Sequence, residues 1–172
     1  GSATQYVEAF HRLRANLDFI EVDQRPLELV VTSASAGEGK TDTAVNLARA
    51  CAELAQRVLL IDADLRRPQV HARLGLDNAV GLTTVLTGAV SLEDAVQPVI
   101  RSGGLDVLAS GTTPPNPSEL LASAAMGHVL ELARRRYDMV IIDSPPILPV
   151  VDAAVLARRV GGAVIVARMG QV

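Results

Sequence analysis

Three short stretches hold the residues able to do chemistry. Residues 33 to 44 read SASAGEGKTDTA and follow the apolar run LELVV. Gly37 and Gly39 admit backbone conformations that other residues resist, so several N–H groups can turn inward as an anion nest. Lys40 then stands where an ammonium meets β and γ phosphates, and the Thr41 hydroxyl where it can ligate Mg²⁺. A helix starting near Lys40 adds the positive end of its dipole. A magnesium-bound phosphate also needs acidic partners. LLIDADLR offers Asp62 and Asp64, and VIIDSPP offers Asp143.

Such residues converge only if the chain delivers them to one edge of a sheet. Leu29 to Thr32, Arg57 to Ile61, Leu105 to Ala109, Met139 to Ile142 and Ala163 to Ala167 read as five buried strands. A helix over 40 to 54 makes the first two strands a βαβ unit with an expected right-handed crossover. The candidate residues thus follow strands at their carboxyl ends, where open α/β sheets bind ligands. Asn116-Pro117-Ser118-Glu119 predicts a helix start, with Asn116 as N-cap, Pro117 at the first helical position and Glu119 closing a capping box. That helix should run to about Arg135. Short helices are expected in GLTTVLTG and SLEDAV, and another from Asp152 to Arg159. Val7, Phe10, Leu13, Leu17 and Ile20 place an amphipathic helix over 4 to 20, ahead of any strand.

Composition agrees with an α/β fold: a mainly parallel sheet with helices on both faces, like that of phosphate-loop NTPases. Aromatic residues make up only 2% of the 172, whereas aliphatic residues abound. Residues 3–172 suffice for one domain, Gly1-Ser2 having the look of a cloning remnant. The single cysteine, Cys51, cannot form an internal bridge and suits a reducing, cytosolic setting. Net charge is −3 and the arginines fall in scattered short groups, which speaks against a nucleic-acid partner. No apolar run approaches the ~20 residues needed to cross a bilayer.

The loop ending in Gly39-Lys40-Thr41, the Asp62-x-Asp64-x-Arg66 segment and the Asp143-x-x-Pro146 segment resemble the Walker A, A′ and B motifs of the bacterial tyrosine kinases of capsule and exopolysaccharide export. LRRP, GLDN, GLTTVL, LASG and PPNPSELL are similar to that family in order and spacing. The resemblance runs from about Tyr6 to Arg168. It implies an ATP- and Mg²⁺-dependent tyrosine autokinase regulating polysaccharide export. Ala34, Ser35, Ala36, Gly37, Glu38, Gly39, Lys40, Thr41 and Asp42 would surround the phosphates. Thr41, Asp62 and Asp143 would hold magnesium, and Lys40, Asp62 and Asp64 would serve catalysis. Asp62 would take the proton of an incoming tyrosine, Asp64 would orient the metal site, and Arg66 would stabilise phosphate charge or the neighbouring acidic pair.

Glu8, His11 and Arg14 recur every third residue on the first helix and resemble the family's E-x-x-R-x-x-R motif, through which subunits of a ring meet. The resemblance also implies a membrane-embedded activator, as a fused segment or a separate protein, and a place at the inner face of the membrane. His11 replaces an arginine of that pattern, Ala36 a proline, and Asp42 a serine or threonine. The resemblance further implies a helix, a strand and a tyrosine cluster that the 172 residues do not include. Two other readings therefore stand beside the kinase. One is a switch ATPase of the partition and division-site type, against which Ser35 argues by standing where those proteins carry a second lysine. The other is a nucleotide-binding oligomeric scaffold that transfers nothing.

Overall fold

A computed structural model of the chain describes residues 8, 11, 12, 15, 27–33, 39–54, 56–99, 103–146 and 163–166. In chain order its elements are β1 (Leu27–Thr32), α1 (Lys40–Glu53), β2 (Val58–Asp62), α2 (Val70–Leu74), α3 (Leu82–Leu86), α4 (Leu92–Ala95), β3 (Gln97–Pro98), β4 (Leu105–Leu108), α5 (Pro117–Ala122), α6 (Ala124–Arg136), β5 (Met139–Asp143) and β6 (Ala163–Val166). The strands form one sheet in the order β3-β4-β2-β5-β1-β6. All pairings are parallel except that of β3 with β4. The mainly parallel α/β architecture is the expected one, and the five expected strands appear within one or two residues of their predicted bounds.

Both faces of the central strands are covered, which explains why VLLID and MVIID are almost continuously apolar and fully buried. Leu29, Val31, Leu60 and Ile141 pack with Ala44, Leu47, Ala48 and Cys51 of α1 on one face. The small residues of α1 let the helix lie close to the sheet. Val30, Leu59, Ile61, Val140 and Ile142 pack with Met126, Val129, Leu130 and Ala133 of α6 on the other. Arg134 extends from α6 to Glu28, a buried carboxylate on β1, donating to both oxygens.

The structure departs from the sequence-based expectation in four places, one being α2, for which the sequence predicts no helix. The sheet gains a sixth, two-residue strand at its edge, where Pro98 can sit because an edge position does not demand its missing N–H. The single helix expected from Asn116 to Arg135 is two helices. Ser123 breaks it: its hydroxyl bonds the Leu120 carbonyl at 2.6 Å and accepts the Met126 N–H at 3.3 Å, competing with the helical ladder. Pro117 does open α5, but the Asn116 amide donates to the Glu119 carboxylate at 3.1 Å instead of capping the backbone. The short helices expected around 82 to 95 are present as α3 and α4.

Glu8, His11, Arg12 and Ala15 are helical, with Glu8 exposed and His11 half-buried. Arg14 and the helix expected from Asp152 to Arg159 lie outside the described residues. No helix among the described residues is long and apolar enough to cross a membrane.

Candidate active site

Sheet order brings the candidate residues together. β5 lies between β1 and β2, so the carboxyl ends of all three strands are neighbours. Asp62 and Asp143 are the last residues of β2 and β5 and are directly paired in register. Beyond them the strand ends are laced together. The Ala63 N–H donates to the Asp143 carbonyl at 2.8 Å, the Ser144 N–H to Val31 at 3.0 Å, and the Thr32 hydroxyl to Pro145 at 2.9 Å. Gly39 caps α1 in the left-handed region, at φ 73°, where a side chain would be strained. Ser35, Ala36, Gly37 and Glu38, expected to line the phosphate cradle, lie outside the described residues, as does Ala34.

Lys40 and Thr41 open α1 and both face Asp143. The Lys40 Nζ donates to Asp143 Oδ1 at 2.6 Å, and the Thr41 hydroxyl to Oδ2 at 2.8 Å. Lys40 also stands 3.5 Å from Asp64 Oδ2. It is the only lysine among the chain's 16 basic residues, a signal the sequence reading passed over. Asp62 is held differently, entirely by backbone. Its Oδ1 accepts the Asp64 N–H, and its Oδ2 accepts the N–H groups of Gln69 and Val70, each at 3.1 Å. The two amide donors at the start of α2 left no mark in the sequence, since any residue but proline supplies an N–H.

Lys40, Thr41, Asp62, Asp64 and Asp143 are all buried. Three carboxylates and one ammonium in a buried cluster cannot all stay ionised cheaply. Burial, and then the charge of Asp143, push the Asp62 carboxyl up to about 8 against the amides of Val70 and Asp64 and the charge of Lys40. Burial raises the Asp143 carboxyl as well, opposed by Lys40 and Thr41. A divalent cation would relieve that strain, and the donors are the hard oxygens that magnesium prefers. Among the described residues no three acidic, histidine or cysteine side chains are grouped to enclose a metal by themselves. Magnesium fits this arrangement nevertheless, since it commonly takes one or two carboxylates and completes its shell with phosphate oxygens and water. Each carboxylate of the pair retains acceptor capacity beyond the bonds it already makes.

Two expected site residues point elsewhere. The half-exposed Asp42 carboxylate lies 3.1 Å from Arg73 Nη1, on α2. Arg66 donates to the Ser118 hydroxyl, at the start of α5, at 3.2 Å.

The chain was compared with proteins already described. A model of the AAA domain matches residues 26–167. The tyrosine-protein kinase YwqD of Bacillus subtilis strain 168 is 48% identical over 164 residues, covering 95% of this chain and 69% of that protein. The tyrosine-protein kinase etk of Escherichia coli strain K12 is 43% identical over 168 residues, 98% of this chain but 23% of that protein. The solved kinase domain of the Escherichia coli tyrosine kinase ETK superposes with a TM-score of 0.89 at 41% identity, covering 94% of this chain and 63% of that one. The chain thus spans about two thirds of YwqD and under a quarter of etk.

Proposed function

Because this chain belongs to the AAA-domain family and, within it, to the bacterial tyrosine-protein kinases, we propose that it binds ATP with magnesium and transfers the γ-phosphoryl group to tyrosine, on copies of itself in the first instance, in the control of polysaccharide export. The observation that carries this reading is the Lys40-Thr41-Asp143 contact set beside the paired Asp62, all at the carboxyl edge of the sheet.

Phosphoryl transfer asks little covalent work of a protein beyond positioning and charge stabilisation. Residues 34 to 41 wrap the phosphates, with the Lys40 ammonium exchanging Asp143 for β and γ oxygens. Thr41, Asp62 and Asp143 would hold a magnesium ion, with Asp42 following Thr41 on α1. Magnesium, when bound, neutralises charge on the β and γ oxygens. A tyrosine oxygen then attacks the γ phosphorus, the bond to the β–γ bridging oxygen breaks, and ADP leaves. The hydroxyl proton passes to Asp62. Three backbone amides fix its aim. Asp64 holds Lys40 on its second side. Glu8, His11 and Arg14 contribute a subunit contact in a ring. A membrane-embedded activator, fused or separate, keeps the domain at the inner face of the membrane.

The test is incubation with γ-labelled ATP, Mg²⁺ and a tyrosine-containing copolymer. Label on tyrosine that disappears with Lys40→Met supports the kinase. Phosphate release without labelled tyrosine points to a switch ATPase, and nucleotide binding without either points to a scaffold.

A further inference from the structure

Asp42 sets this chain apart from the pattern it otherwise resembles, and its partner explains how it is tolerated. It occupies the first turn of α1, directly after Lys40 and Thr41, which both bond Asp143. A carboxylate there suits the helix dipole. It also adds a negative charge to the helix turn whose Lys40 ammonium already serves Asp64 and Asp143. Asp42 is the third residue of α1, so anions drawn to the start of that helix would meet its charge within about one turn.

Arg73 reaches Asp42 from α2, with Nη1 at 3.1 Å from Oδ1. Its own place is set by the segment that cradles Asp62. The Arg73 N–H donates to the Gln69 carbonyl at 3.0 Å, and Nη2 reaches Gln69 Oε1 at 3.4 Å. The pair is about half exposed, 48% and 47%, so it adds little to folding stability. Its effect lies in the field at the mouth of the phosphate site.

We propose that Arg73 is a positioning residue for the nucleotide: by pairing with Asp42 it turns aside and neutralises the one carboxylate of the phosphate-binding helix that would repel ATP. The inference rests on the nucleotide site proposed above. Removing the guanidinium leaves Asp42 uncompensated. At one turn's distance and under salt screening, this should weaken binding of a multiply charged phosphate chain roughly three- to tenfold.

The experiment measures the Kd of a fluorescent ATP analogue, with Mg²⁺, at low and high salt. Binding by the wild type that Lys40→Met removes establishes the underlying site; its absence in the wild type would overturn both readings. Given that site, Arg73→Ala should raise Kd three- to tenfold and Arg73→Glu more, each losing most of its effect at high salt with an unchanged melting temperature. In an Asp42→Ser background, Arg73→Ala should change Kd less than twofold. An Arg73→Ala affinity equal to wild type overturns the proposal. So does an equal loss in the Asp42→Ser background, which would assign Arg73 a mechanical role through Gln69.

Discussion

Asp143→Asn should make the nucleotide-free protein more stable while abolishing transfer. Replacement by an amide keeps an oxygen for the Lys40 ammonium and turns an N–H toward the Thr41 oxygen, so both contacts survive in kind. What disappears is one of three carboxylates sharing a single ammonium. The Asp62 carboxyl, lifted from 3.8 to about 8 by burial and next by Asp143, should fall toward the ordinary range. Each pKa unit corresponds to about 1.4 kcal/mol. Relief of that repulsion and of the burial of Asp143, set against a weaker bond from Lys40, leaves a net gain on the order of 1–2 kcal/mol at pH 8. For a chain of this size that is roughly 2–6 °C in Tm. The sign of the pH effect follows from the raised carboxyls. Between about pH 4 and 8 the folded protein holds more protons than the unfolded chain, so wild-type stability falls as pH rises through that window. Asp143→Asn should flatten the slope, with its advantage nearly gone at pH 5. Calorimetry from pH 5 to 8 in the presence of a chelator measures both quantities. A variant less stable than wild type at pH 8, or one with an unaltered pH slope, would mean that the buried carboxylates do not repel one another in the folded protein.

Other substitutions probe the scaffold. Tyr137 donates to Asp106 at 2.7 Å, and burial together with that bond holds its phenol well above the usual tyrosine range. Its contribution is therefore complete below pH 10 and lost above it; Tyr137→Phe should cost about 1 kcal/mol at neutral pH and soften the alkaline unfolding limb. Gly81→Ala would set a Cβ 2.2 Å from the Ala109 carbonyl oxygen, backbone against backbone. A lower urea midpoint equivalent to roughly 2–4 kcal/mol is expected. Arg134→Ala leaves Glu28 buried without its bidentate partner and should destabilise by about 3 kcal/mol, much of it recovered by Glu28→Leu with Arg134→Leu in thermal melts.

The parts of the site legible in the sequence were those whose chemistry is local. A glycine-flanked Lys40-Thr41 between strand and helix, and aspartates closing apolar runs, carry their meaning within a few residues. Their convergence followed from parallel strands delivering carboxyl ends to one edge, and the order that places β5 between β1 and β2 made it direct. The amides of Gln69 and Val70 were invisible because backbone donors have no residue signature. Arg73 was invisible because its bond to Asp42 joins helices 31 positions apart in the chain. The sequence reading likewise missed β3, too short for a period-two pattern, and the break at Ser123, whose hydroxyl competes with the helix only through its rotamer.

If the buried Lys40 cluster receives nucleotide phosphates, the chain's solitary lysine allows a direct measurement of it. An acyl-phosphate derivative of ATP delivers a reactive carbonyl to an amine at the phosphate site, and mass spectrometry then locates the acylated residue. Acylation is expected at Lys40, suppressed by excess ATP with Mg²⁺ and weakened by Asp143→Asn. Absence of acylation at Lys40, or acylation indifferent to ATP, would contradict phosphate binding there.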